Sequence, residues 1–262
     1  MNQPRRPGFP ARLPTSASAP TPRSLNAAIN PIKLPQRMAP APAGVGLDSA
    51  AVRAHMCRRL GDSGITSPAV LAALGDVERH RFVDSALVNQ AYEDTSLPIG
   101  LGQTISKPSI VARMAELLLG APAVKTEWLG RVLEIGTGCG YQAAVLGRIA
   151  KEVYTIERLR ALHEKARENL RHLRLTNVHL ILGDGMLGYP KGAPYAAIIS
   201  AAGGDSLPPQ WCDQLAVGGR LVATMASPDG KQVLLVVDKT AQGLKQTVLE
   251  AVNFVPLKSG VV

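Results

Sequence analysis

Residues 132–141 read VLEIGTGCGY: a short apolar strand runs into glycines at 136, 138 and 140 and then opens a helix. Glycine permits a tight turn and lets a ligand approach the backbone closely. The helix behind it turns unpaired N–H groups toward a polar or anionic ligand. After Trp128, strand-like and helix-like runs alternate: RVLEIG, YQAAVLGRIA, EVYTIE, the amphipathic LRALHEKARENLRHL, VHLILGD, YAAIIS, PPQWCDQL, GRLVATM and KQVLLVVDK. This alternation predicts an α/β fold with a doubly wound, mostly parallel sheet of Rossmann-like type. The last two strands lie too close in sequence for a crossover helix, so an antiparallel element is expected at the C-terminal end. LKQTVLEAVNFVPL supplies at least one more strand.

Upstream, the patterning predicts a helical lead-in through residue ~92. LDSAAVRAHMCRRL is read as a helix capped by Asp48 or Ser49, and TSPAVLAAL as one with Ser67 at the cap and Pro68 in the first turn. RFVDSALVNQAY is read as a third short helix, and Leu97–Gly102 as a loop punctuated by proline and glycine. SIVARMAELLL places Ile110, Val111, Met114, Leu117 and Leu118 on one helical face, with Ser106 as the expected N-cap ahead of Lys107-Pro108.

Residues 1–47 hold ten of the 20 prolines and read as a disordered, Pro/Ala/Arg-rich extension. The rest of the chain, 48–262, is expected to be one α/β domain, divided into a helical lead-in with a loop (48–119) and the sheet (120–262). Of the net charge of +9, six units come from Arg5, Arg6, Arg12, Arg23, Lys33 and Arg37 in the acid-free extension, which leaves +3 for the rest. A nucleic-acid partner is therefore not expected. No apolar run reaches the ~20 residues of a membrane helix, and the N-terminus lacks the apolar core of a secretory signal. Cys57, Cys139 and Cys212 are far apart and form no CxxC pair. A reducing compartment, the cytoplasm, is expected, with no structural metal.

The glycines are spaced G-x-G-x-G. The dinucleotide fingerprint wants its third glycine at 141, which is Tyr141, and this disfavours NAD. Glu157 ends the next strand about 20 residues on, where this architecture places an acid for ribose hydroxyls. Asp184, in the GDG of 183–185, ends the strand after that and is placed to meet an adenine amine. A glycine loop and two acids at successive strand ends resemble the class I S-adenosylmethionine-dependent methyltransferases. That resemblance puts Gly136, Gly138 and Gly140 against the methionine part of the cofactor, Glu157 against the ribose, and Asp184 with Gly185 against the adenine.

The acceptor is read from other residues. Exocyclic-amine methyltransferases carry Asn/Asp-Pro-Pro-aromatic after the fourth strand, whereas this chain has SAAGGDSLPPQW there. Cytosine C5 enzymes need a reactive loop cysteine, and neither Cys139 nor Cys212 lies in such a setting. LPIGLGQTISKPSIVARM, with EIGTGCGYQ, GDG and FVPL following in order, closely resembles the protein-L-isoaspartate (D-aspartate) O-methyltransferase family over roughly residues 50–260. Cys139 stands where many members have serine, AAGG at 201–204 replaces a segment often richer in proline, and the extension lies outside the pattern. The resemblance implies methyl transfer from S-adenosylmethionine to the α-carboxyl of isoaspartyl residues in damaged proteins. The resulting ester then collapses to a succinimide that partly reopens to aspartate. It also implies Ser106 as the catalytic residue, and Gln103, Thr104, Ile105 and Glu134 alongside the glycines and acids as cofactor contacts. Thr104, Ser106, Val255 and Pro256 are implied on the substrate side, and the enzyme is expected to work as a monomer. Two other readings remain: the same cofactor serving another carboxylate or a small molecule, and a non-catalytic cofactor-binding protein.

A carboxylate acceptor is itself nucleophilic at neutral pH, because its pKa lies near 4. The site then has to align and desolvate the acceptor rather than deprotonate it. Ser106 is read as holding one carboxylate oxygen while the other attacks.

Overall fold

The computed structural model describes residues 50–227 and 230–262. The reading of 1–47 and the Asp48 or Ser49 cap lie outside these residues. The lead-in begins with α1 (Ala50–Asp62) and α2 (Pro68–Asp76). Ser67 caps α2, its Oγ accepting from the Val70 N–H at 3.3 Å, with Pro68 at the first turn. The expected third helix is instead two 3₁₀ turns, Arg79–Phe82 and Ser85–Gln90. Phe82, the last residue of the first turn, is fully buried, and the segment forms no continuous apolar stripe for an α-helix to bury.

Leu97–Gly102, read as a loop, is the first strand and turn of a small hairpin, β1 (Leu97–Gly100) paired antiparallel with β2 (Gln103–Ile105). Pro98 and Gly100 argue locally against a strand. Buried Leu97, Ile99 and Ile105 override them by anchoring the hairpin on the core. α3 (Pro108–Leu119) follows, burying Val111, Met114, Ala115 and Leu118 along one face.

Among the described residues the main sheet has seven strands. In chain order they are β3 (Leu129–Ile135), β4 (Ala150–Glu157), β5 (Val178–Leu182), β6 (Tyr195–Gly204), β7 (Leu215–Ala226), β8 (Gln232–Thr240) and β9 (Gly243–Val252). Their spatial order is β5-β4-β3-β6-β7-β8-β9. The first five pair in parallel, while β8 and β9 return as an antiparallel meander. The short α4 (Tyr141–Leu146) follows β3, α5 (Arg160–Arg171) follows β4, and α6 (Pro209–Gln214) precedes β7. α5 buries Leu162, Ala166 and Leu170 at four-residue spacing.

Successive residues of β3 face opposite layers, as strand geometry requires. Val132 joins the apolar cluster shared with α1–α4, and Leu133 the one built around Trp211 and Tyr195. Apolar residues pack on both faces, so the parallel strands read as nearly unbroken apolar runs. The chain steps from β3 outward to β4 and β5, then crosses back to β6 on the other side of β3. This makes the C-terminal ends of β3 and β6 the switch point of the sheet, where open α/β sheets form a crevice.

Candidate active site

An open cavity lies at that switch point. Its floor is the glycine loop. Gly136, Gly138 and Gly140 have φ of +89°, +56° and +91°, a region that L side chains avoid. The Gly136 and Thr137 N–H groups donate to the Ile156 carbonyl at 2.9 and 3.1 Å, tying the loop to β4. Thr137 and Thr155 share a buried hydroxyl hydrogen bond at 2.6 Å beneath it.

Glu157 ends β4 and is 5% exposed. Its Oε2 accepts the Gly138 N–H and its Oε1 the Leu159 N–H, both at 2.9 Å. One carboxylate thus clamps the glycine loop to the start of α5 while lining the cavity. Two backbone donors fill only half of its acceptor capacity.

Of the residues singled out from sequence, Gln103, Thr104, Ile105, Ser106, Gly136, Gly138, Glu157, Gly185, Val255 and Pro256 line this one cavity. Glu134, Gly140 and Asp184 are not among its lining residues. Gly140 is the N-cap of α4, where an added Cβ would come 3.1 Å from the Leu170 side chain. Glu134 is fully buried behind the loop, with Oε1 accepting from Gln142 Nε2 at 3.0 Å and Oε2 lacking a hydrogen-bond partner. Burial pushes its carboxyl up to about 8; the nearby Thr155 hydroxyl and Gln142 amide offset this only partly. Asp184 caps the turn after β5, with Oδ1 accepting from the Met186 N–H at 2.9 Å, and Oδ2 accepts the Gly260 N–H at 2.7 Å. Gly185 does reach the cavity, held from behind by Trp211 Nε1 on its carbonyl at 2.8 Å.

Ser106 is not the N-cap of α3. Lys107 occupies that position, and Asp94 supplies the missing acceptor, taking the Ser109 N–H and O–H at 2.8 Å each. Ser106 lines a second cavity as well as the first, together with Thr104, Ala201 and Val255. Among the described residues of that second lining, Lys107 is the only charged side chain.

The wall beside the glycine loop comes from residues with little sequence signal; a Cβ on Gly136 would meet Ala201 at 3.7 Å. Ala201 and Ala202 follow Ser200, the last residue of β6 paired with β3, and the segment around Pro256 crosses beside them. Gly203 donates to the Val255 carbonyl at 2.8 Å and accepts from the Leu257 N–H at 2.6 Å, so Pro256 makes a single parallel bridge rather than a strand. Arg158 Nε donates to the Gly260 carbonyl at 2.9 Å, and the Val262 N–H donates to the Arg158 carbonyl at 2.9 Å. The sequence reading also missed Arg79. Its guanidinium is fully buried, lies 4.8 Å from the centre of the Tyr141 ring and donates through Nε to the Ala91 carbonyl at 2.8 Å. Cys139, inside the loop, is buried, which pushes its thiol up to about 11 and keeps it protonated.

A family model described as protein-L-isoaspartate(D-aspartate) O-methyltransferase matches residues 51–262. The chain is 58% identical over 221 residues to a protein-L-isoaspartate O-methyltransferase of Methylibium petroleiphilum, covering 84% of this chain and 81% of that one. It is 55% identical over 274 residues to one of Leptothrix cholodnii, covering 98% and 95%. Among solved structures, a protein-L-isoaspartate O-methyltransferase superposes with a TM-score of 0.71 at 28% identity, covering 80% of this chain and 67% of that one. A Plasmodium falciparum β-aspartate methyltransferase in complex with S-adenosyl-L-homocysteine shares the fold, with a TM-score of 0.68 at 24% identity and coverage of 79% and 98%.

Proposed function

The chain belongs to the protein-L-isoaspartate(D-aspartate) O-methyltransferase family, and we propose that Ser106 is where its two cavities meet to bring acceptor and donor together. The protein is an S-adenosylmethionine-dependent protein-L-isoaspartate O-methyltransferase: it methylates the α-carboxyl of isoaspartyl residues in damaged proteins. Bound S-adenosylmethionine supplies an electrophilic methyl carbon on a positively charged sulfur.

The cavity over the glycine loop fits that cofactor. A half-satisfied carboxylate at Glu157 suits a ribose diol, Ile135, Ile156 and Leu162 give apolar walls, and the positive-φ glycines let a ligand reach the backbone. We assign Gly136, Gly138, Glu157 and Gly185 to direct cofactor contact, with Gln103, Thr104 and Ile105 facing it from the hairpin. Glu134, Gly140 and Asp184 act from behind as positioning residues. Glu134 braces Gln142, Gly140 turns the loop into α4, and Asp184 fixes the Gly185 turn.

The second cavity takes the peptide. Val255, which lines both cavities, forms its boundary with the cofactor space, Pro256 lies on the cofactor side, and Lys107 gives it a positive charge suited to an anionic acceptor. Ser106 donates a hydrogen bond to one acceptor oxygen, which aims the other and replaces water. No proton has to leave the acceptor, so no base is required. The observation that carries this reading is that Ser106 lines both cavities while Asp94 performs the helix capping. Ser106→Ala is expected to lower the rate on an isoaspartyl peptide by about 10- to 100-fold, the worth of one hydrogen bond to a charged group. A wild-type rate in that variant would remove Ser106 from the mechanism.

The same reading places the enzyme in the cytoplasm as a monomer that acts on proteins, not on nucleic acid or membranes. Three unpaired cysteines support a reducing compartment, and no helix of the described residues is long and apolar enough to cross a membrane.

A further inference from the structure

The β1–β2 hairpin is anchored at its base and free at its tip. Ile99 is the extra residue of a bulge in β1, is 2% exposed, and lies where a Cβ on Gly138 would meet its Cδ1 at 3.3 Å. Lys165 Nζ on α5 donates to the Ile99 carbonyl at 3.1 Å. Beyond this anchor, Gly100, Leu101 and Gly102 have φ of +98°, +53° and +68°. A Cβ added at Gly100 or Gly102 would meet nothing within 4 Å, so the tip stands clear of the rest of the protein.

Leu101 is a poor choice for this position by two independent criteria. Turns with consecutive positive-φ residues favour Asn, Asp or Gly, and leucine has neither the freedom nor the local hydrogen bonds to offset the strain. Its side chain is also 60% exposed, so its apolar surface gains little from burial in the protein itself. Yet Leu101 lines the cofactor cavity, as Glu157 and Leu159 do. Backbone strain that persists at a site wall points to function.

We infer that Leu101 is a cofactor-covering residue, whose side chain packs on bound S-adenosylmethionine and excludes water from it. This rests on the cofactor reading above. The strained backbone holds the leucine over the cavity, and burial of its apolar surface comes from the ligand rather than from the protein. Affinity for the cofactor then depends on a residue that makes the unliganded protein less stable.

The test uses the full chain with Leu101→Asn and Leu101→Met. Asparagine suits the left-handed turn but removes the apolar cover, whereas methionine keeps the cover. Melting temperature without ligand and calorimetric affinity for S-adenosylhomocysteine are measured for each. Leu101→Asn is expected to melt at or above the wild-type temperature and to bind about tenfold more weakly, with Leu101→Met binding within about twofold of wild type. Wild-type affinity in Leu101→Asn would overturn the inference, as would a parallel fall in melting temperature and affinity, which marks a merely structural role. A wild-type protein that failed to bind S-adenosylhomocysteine would overturn the cofactor reading itself, and this inference with it.

Discussion

Asp94 accepts both the backbone N–H and the side-chain O–H of Ser109, each at 2.8 Å. One carboxylate reaching across from before the hairpin thus closes the N-terminus of α3, three residues past Ser106. Asp94→Ala is expected to remove this cap at a cost of about 1 kcal/mol, which corresponds to a fall in melting temperature of about 2–4 °C for a domain of this size. It should also lower kcat with little change in cofactor affinity, because Ser106 loses its fixed position. Asp94→Asn keeps one acceptor oxygen and should fall between. Thermal melting and steady-state kinetics on an isoaspartyl peptide check both effects.

Glu157 holds the glycine loop and the start of α5 together through the Gly138 and Leu159 N–H groups. Glu157→Ala leaves two half-buried donors unpaired and removes the diol acceptor. Calorimetric affinity for S-adenosylhomocysteine should fall by about tenfold or more, and stability by about 1–3 kcal/mol. Glu157→Gln keeps one acceptor and should lose less of both.

Glu134 gives the fold a specific pH dependence. Its carboxyl, ordinarily near 4.5, is pushed up to about 8 by burial. The folded state therefore keeps a proton that the unfolded chain releases. The group's contribution is fully present below about pH 4.5 and is lost as pH rises through about 8. Each tenfold difference in proton affinity between the folded and unfolded chain is worth about 1.4 kcal/mol, so the loss amounts to a few kcal/mol. Glu134→Gln removes the titration while keeping a neutral side chain of the same shape. Melting curves from pH 5 to 9 should show the variant gaining on wild type as pH rises, and parallel curves would contradict the buried, proton-binding state.

The alternation after Trp128 translated directly into the sheet, because parallel strands buried on both faces must be apolar throughout and their helices must be striped. Glu157 was legible for the same reason: a charged residue ending such a run lies at the crevice. The hairpin was not, since Pro98 and Gly100 carry a turn signature and its pairing depends on burial that local sequence does not encode. Ser106 looked like a cap because it sits just before Lys107-Pro108, but the acceptor that closes α3 lies 15 residues earlier than Ser109. The wall made by Ala201, Ala202 and the chain end carries no motif because small side chains and backbone bonds build it. Asp184 lies two residues past the end of β5 rather than ending it, and both of its oxygens hold backbone N–H groups, one of them from Gly260.

Paired peptides that differ only in one aspartyl or isoaspartyl linkage, incubated with the full chain and S-adenosylmethionine labelled on the transferred methyl group, test the central claim most directly. The account predicts base-labile label on the isoaspartyl peptide and background on its aspartyl twin. Equal labelling of the two, or none on either, would contradict it.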